Sequence, residues 1–165
     1  MKKNLSIRLS KILLIAGIGC LALVVAFNNV VDYPSNFLFV QHVMSMDTIF
    51  PDNVVKYRAI TEPLLHTAAY ALIICWEFAV AILCLSGALQ LLKHIKSDAQ
   101  TFDKAKFLSI LGLSSGFALW FIGFMVVGGE WFCMWQSPDW NGQESAFRFV
   151  VCIVLVLMYT VQREN

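Results

Sequence analysis

Four long runs almost free of charge constrain this chain more than any motif does. They cover roughly residues 9–31, 63–92, 107–127 and 145–161. A helix that crosses a bilayer core needs about 20 predominantly apolar residues. Lipid offers no hydrogen-bond partners, so the backbone groups of such a run must be satisfied within it, and the runs are read as helices. The alternating ten-residue segments of a membrane β-barrel do not occur. Composition agrees, since 59% of the 165 residues are hydrophobic and only 14% are charged, where soluble domains carry about a quarter. The expected fold is an all-α membrane protein, a four-transmembrane-helix bundle forming one domain over residues 1–165. The net charge of +1 leaves no basic surplus for nucleic acid.

The N-terminus has some marks of a signal peptide. A basic segment, "MKKNLSIRLSK", precedes an apolar one. The apolar run is long for a signal and no small-residue cleavage site follows closely, so an uncleaved first helix is expected. Positive charge sets the topology. Lys2, Lys3, Arg8 and Lys11 precede the first span, Lys93, Lys96, Lys104 and Lys106 lie between the second and third, and Arg163 follows the fourth. The segment 32–62 holds four acids against Lys56 and Arg58, and 128–145 holds Glu130, Asp139 and Glu144 with no base. Both termini are therefore expected on the cytoplasmic side of the membrane, with two acidic loops on the outer side.

Those loops carry their own pattern. In "YPSNFLFVQHVMSMD" a turn at Tyr33–Ser35 leads into a helical face of Phe37, Val40 and Met44. A short helix is expected there, either lying in the outer interface or capping the bundle. His42 falls on this segment. The second loop carries Trp131, Trp135 and Trp140 beside Glu130, which reads as an aromatic anchoring belt or a partner surface. Gly128-Gly129 and Asn141-Gly142 are read as chain reversals.

Glu77 is the most expensive residue in the spans. An ionised group at the bilayer centre costs about 2.5–3.5 kcal/mol on insertion scales, and such groups usually face inward and pair. Counting from Lys93, Arg163 and Lys11 places Glu77, Arg148 and Asn28 at about the same height, some 22–26 Å above the basic end at 1.5 Å per residue. A Glu77–Arg148 ion pair with Asn28 beside it is the expectation. His66, Tyr70, Ile73 and Glu77 recur as one helical stripe, and Asp32 lies one turn beyond Asn28. These residues form either a network holding the helices in register or the floor of an outward pocket.

Other chemistry finds little support. Five cysteines without a C-x-x-C pair argue against a thiol oxidoreductase. Haem needs axial ligands, commonly histidine, and only His66 lies near a span. No cofactor is expected, with haem or quinone the minor alternatives, and no residues show zinc-ligand spacing. The small-residue pattern at Gly112 and Gly116 is a helix-packing signal.

The strings "NNVVDYPSNFLFVQHVMSMDTIFP", "YRAIT", "AYALIICWE" and "GGEWFCMWQSPDWNGQESAFRF" resemble a bacterial family of predicted small integral membrane proteins of unknown function. The resemblance implies a four-helix inner-membrane protein and brings no activity or site residue. Two readings of function follow. One is an accessory, scaffold or assembly factor that binds a membrane-protein or outer-side partner, or a second copy of itself. The other is a small-ligand, lipid, quinone or ion-binding protein using the Glu77 layer. The inner halves of the spans are nearly unbroken apolar sequence, so a continuous polar path across the bilayer is not expected in a monomer. No catalytic motif marks the chain as an enzyme.

Overall fold

The computed structural model describes residues 2–164, with side chains from Leu5 to Glu164. The side chains of Lys2 and Lys3, which entered the topology expectation, lie outside the described residues. Helix α1 spans Lys2–Val31, α2 Tyr33–Ser45, α3 Pro63–Lys93, α4 Ala99–Lys104, α5 Phe107–Phe117 and α6 Gln143–Thr160. A π-helical segment, Ala118–Trp131, continues α5 without a break. No strand occurs among the described residues, and four helices are long and apolar enough to cross a membrane. The structure therefore has the expected four-span, all-helical architecture.

The helix starts follow local chemistry. Prolines open α2 and α3 in their first turns, where the missing N–H costs nothing. The Asp98 side chain caps α4 by accepting from the Thr101 N–H at 3.0 Å, which satisfies one of its free donors. Each spanning helix then buries one stripe. On α1 this is Ile15, Ile18, Ala22 and Ala26, and on α6 it is Ala146, Val150, Ile153, Val156 and Thr160. Large apolar side chains such as Leu13, Leu72, Ile82 and Leu155 point outward, where lipid receives them.

Chain neighbours pack side by side, α1 on α3, α3 on α5 and α5 on α6. Small residues let α3 and α5 approach closely. A Cβ on Gly112 would fall 2.7 Å from Cys84 Sγ and 2.8 Å from Cys84 N, and one on Gly87 would fall 2.5 Å from Ser109 N. The contact α3 keeps with α5 is not maintained with the π segment. A π turn, bonded i→i+5, is wider than an α turn, so residues four and five apart share a face. Phe132 N extends this pattern to Val127 O at 3.0 Å.

Helix α2 caps the bundle. Val40 and Val43 are buried, and Met46, Ile49, Phe132, Cys133 and Met134 form a second core above the spans. The expected reversal at Gly128-Gly129 is not there. Both glycines lie buried inside the π segment, pressed against Met134 and Gln143. The chain turns instead at Cys133, which takes a left-handed conformation with φ 54°.

The end that carries both termini is closed by a buried charge cluster. Glu164 accepts from Lys11 Nζ at 2.6 Å and from Arg8 Nε at 3.2 Å, and Lys106 Nζ lies 3.5 Å away. Lys106 also donates to Asp103 at 2.6 Å and to the Gln162 carbonyl at 2.7 Å. Arg8 Nη1 reaches the Ile95 and Ser97 carbonyls. Burial pushes the Glu164 carboxyl up, but the donors Lys11 and Arg8 outweigh it and hold its pKa below the usual value.

Two outcomes check this architecture. Gly112→Ala should destabilise the protein by about 1–3 kcal/mol through overpacking. Gly17→Ala should be neutral or slightly stabilising, since a Cβ there meets nothing within 4 Å. Detergent-titration unfolding measures both. Glu164→Gln should cost roughly 3 kcal/mol by stripping buried cations of their anion. A depressed carboxyl contributes stability above its unfolded pKa, about 4.3 for Glu, and loses it as pH falls through the lower folded value. Thermal melts of the wild type and Glu164→Gln should therefore converge as the pH falls from about 4.3 through the lower folded value.

Candidate functional site

Halfway along α3, Glu77 points into the bundle and is 1% exposed. Its carboxylate accepts from one donor group. Asn29 Nδ2 of α1 reaches both oxygens, at 3.0 and 2.8 Å. Two turns above, the buried Tyr70 hydroxyl donates to the Asn29 carbonyl at 2.8 Å, which holds the end of α1 and hence the amide in position. Tyr70 is in turn boxed by Tyr33 and Phe37 of α2, at ring distances of 4.8 and 5.9 Å. Three helices thus position a single carboxylate.

The expected Glu77–Arg148 pair is not formed. Arg148 is 70% exposed and bonds Glu144 one turn earlier on its own helix. The reason is helical phase. Ala146 and Val150 lie on the buried stripe of α6, and a residue two positions from each falls on the opposite face. Asn28 is likewise exposed, and its neighbour Asn29 takes the role expected of it. Asp32 is exposed and accepts from Ser35 Oγ at 2.9 Å, outside the Glu77 contact. His66 is buried, but its Nε2 donates to the Ile60 carbonyl at 2.6 Å, tying the first long loop to α3. Of the residues expected in one layer, Glu77 and Tyr70 come together.

Around Glu77 lies a cavity of about 300 Å³. Its polar lining is Glu77, Asn29, Tyr70, Asn36 and Ser145, and Trp120, Phe124 and Phe149 complete the wall. The size is at the lower end for small-molecule sites, which combine mostly apolar walls with a few placed polar groups. No cation stands within ion-pair distance of Glu77 among the described residues. No group of three or more His, Cys, Asp or Glu among them is arranged to hold a metal ion.

The loop residues singled out by sequence occupy separate positions. Trp131 is exposed and stacks under Arg58, whose guanidinium lies 4.5 Å from the ring centre. Trp135 meets Phe50 edge-on at 5.9 Å, and Glu130 is exposed. Trp140 stacks on His42 at 4.5 Å, and His42 Nδ1 lies 2.7 Å from Asp47. These contacts brace the cap and none touches Glu77.

Comparison with known proteins now bears on the site. The profile of one family, described as "Predicted small integral membrane protein (DUF2165)", matches residues 7–163. The chain belongs to that family. No curated protein and no solved structure matches it. Membership in the small integral membrane protein family agrees with the four spans and the lipid-facing apolar surface, and it attaches no activity to the Glu77 cavity.

The partner assignment is open to measurement. Asn29→Leu should cost about 2 kcal/mol, because it leaves a buried carboxylate without its donor. Arg148→Ala should cost about 0.5 kcal/mol or less, as exposed i,i+4 pairs do. Unfolding titrations that rank Arg148→Ala beside Asn29→Leu would restore the discarded ion pair.

Proposed function

We propose that this protein is a membrane-embedded binding protein that holds a small molecule through a hydrogen-bond-donating or cationic group on Glu77. The observation that carries this reading is a buried carboxylate that opens on a cavity and lacks a counter-charge. Buried charges are ordinarily paired or ligate something. The terminal charge cluster shows how this chain pairs carboxylates when pairing is their purpose, with Glu164 meeting three cations. Glu77 receives only an amide. The polar wall is rich in acceptors, with both Glu77 oxygens and the Tyr70 oxygen, so a ligand that brings donors would complement it.

The proposed topology puts both termini in the bacterial cytoplasm. Arg8, Lys11, Lys93, Lys96, Lys104, Lys106 and Arg163 all lie at the terminal end, which supports that orientation by the positive-inside rule. The Glu77 cavity would then sit in the outer half of the inner membrane, beneath the α2 cap.

Purification in mild detergent followed by mass spectrometry tests the reading. The wild type is expected to retain a small molecule whose occupancy falls tenfold or more in Glu77→Gln, the effect of losing a charged hydrogen-bond partner worth about 1.4 kcal/mol or more. A stoichiometric protein subunit with no retained small molecule would support the accessory-factor reading instead.

A further inference from the structure

A second cavity of about 340 Å³ lies next to the first and is lined almost wholly by apolar groups. Ala69, Leu72 and Trp76 of α3 form one side, and Leu119, Gly123 and Val127 of the π segment form the other. The two cavities share a wall. Phe39, Val40, Ile73 and Phe124 line both.

The chamber exists because α3 closes on α5 but stands away from the π segment. Leu119, Gly123 and Val127 recur every four residues and share one face of the segment, and Gly123 leaves that face open. A Cβ built on Gly123 meets only Leu119 Cδ1, at 3.9 Å. Leu72 and Val127, at the edges of the chamber, are 61% and 42% exposed, so the chamber borders the space that lipid fills.

A polar, acceptor-rich site that holds one carboxylate without a counter-charge thus adjoins an apolar slot facing the bilayer. We infer that the ligand is an amphiphile with an ammonium head, the head seated on Glu77 and Asn29 and the hydrocarbon chain passing the Phe39–Phe124 wall into the α3–π chamber. This deepens the proposed function and rests on it. Charge selects the head, because a cation is the group Glu77 lacks. Adjacency of the two cavities selects the chain, because a ligand without one would leave the neighbouring apolar chamber unfilled. Entry is lateral, from the lipid beside Leu72 and Val127, so the ligand partitions into the bilayer before it binds.

The test uses the full chain in phosphatidylcholine nanodiscs, with butylamine and undecylamine as probes and the Asn29 side-chain amide resonance of ¹⁵N-labelled protein as the readout. Undecylamine is expected to bind at least tenfold tighter than butylamine. Gly123→Leu fills the chamber and should abolish that difference while leaving butylamine binding unchanged. Gly123→Ala, which fits the open space, should give an intermediate loss and guards against a folding defect in the larger variant. Undecanoate, with the same chain and an anionic head, should not move the resonance. Equal binding of the two amines, or no effect of either Gly123 variant, would overturn the chain-binding inference and leave the Glu77 head site standing. An Asn29 amide that neither amine shifts, or that shifts equally in Glu77→Gln, would overturn the head site and the inference with it.

Discussion

Hydrocarbon accepts no hydrogen bonds and hydrates no charge, and every feature of this protein answers to that fact. It forces the spanning runs into helices, whose backbones close on themselves. It leaves little hydrophobic force to drive the helices together, since lipid tails are as apolar as leucine, and close packing at small residues must supply the cohesion. The contact of Gly87 and Gly112 with the backbone of the facing helix is where this is most visible. It also sorts polar groups. Arg8, Lys11, Lys106, Asp103 and Glu164 gather at one end of the bundle, where each charge finds an opposite one.

Against that background the compensation of Glu77 is thin. Glu164 is surrounded by lysine and arginine donors and ties the end of the chain to α1 and α5. That is a structural clamp, and its geometry shows what full satisfaction of a buried carboxylate requires in this fold. Glu77 is as deeply buried but rests on one amide. A purely structural polar contact between α1 and α3 would not need a negative charge, since a glutamine could bond Asn29 equally well. The contact with Asn29 therefore does not by itself account for a carboxyl at this position.

The fold was legible in the sequence because span length and apolarity are local properties. The site was only half legible, because depth was read and helical phase was not. Counting residues from basic anchors set Glu77, Arg148 and Asn28 at one height, yet height does not say which way a side chain points. The phase was present in the sequence. On α1, small and branched residues at 15, 18, 22 and 26 form the buried stripe, and the next step of three is Asn29. On α6, the stripe through Ala146 and Val150 turns Arg148 outward. The terminal clamp escaped for another reason. Lys11 and Lys106 read as solvated anchors, and only the fold brings Glu164 back across the bundle to bury them.

The π segment links these strands of the argument. Long π-helices are rare, and short π insertions are found frequently at functional sites. Along Ala118–Trp131 the chain stands farther from α3 than α5 does before it, and the chamber beside Ile73 and Phe124 lies there. This leaves the protein with an open interior in the part of the bundle that also holds its uncompensated carboxylate. A bundle selected only for stability would gain by closing that space, because each void forgoes dispersion contacts at its walls. Two adjoining voids beside a carboxyl without a counter-charge are the features that the proposed ligand would account for together.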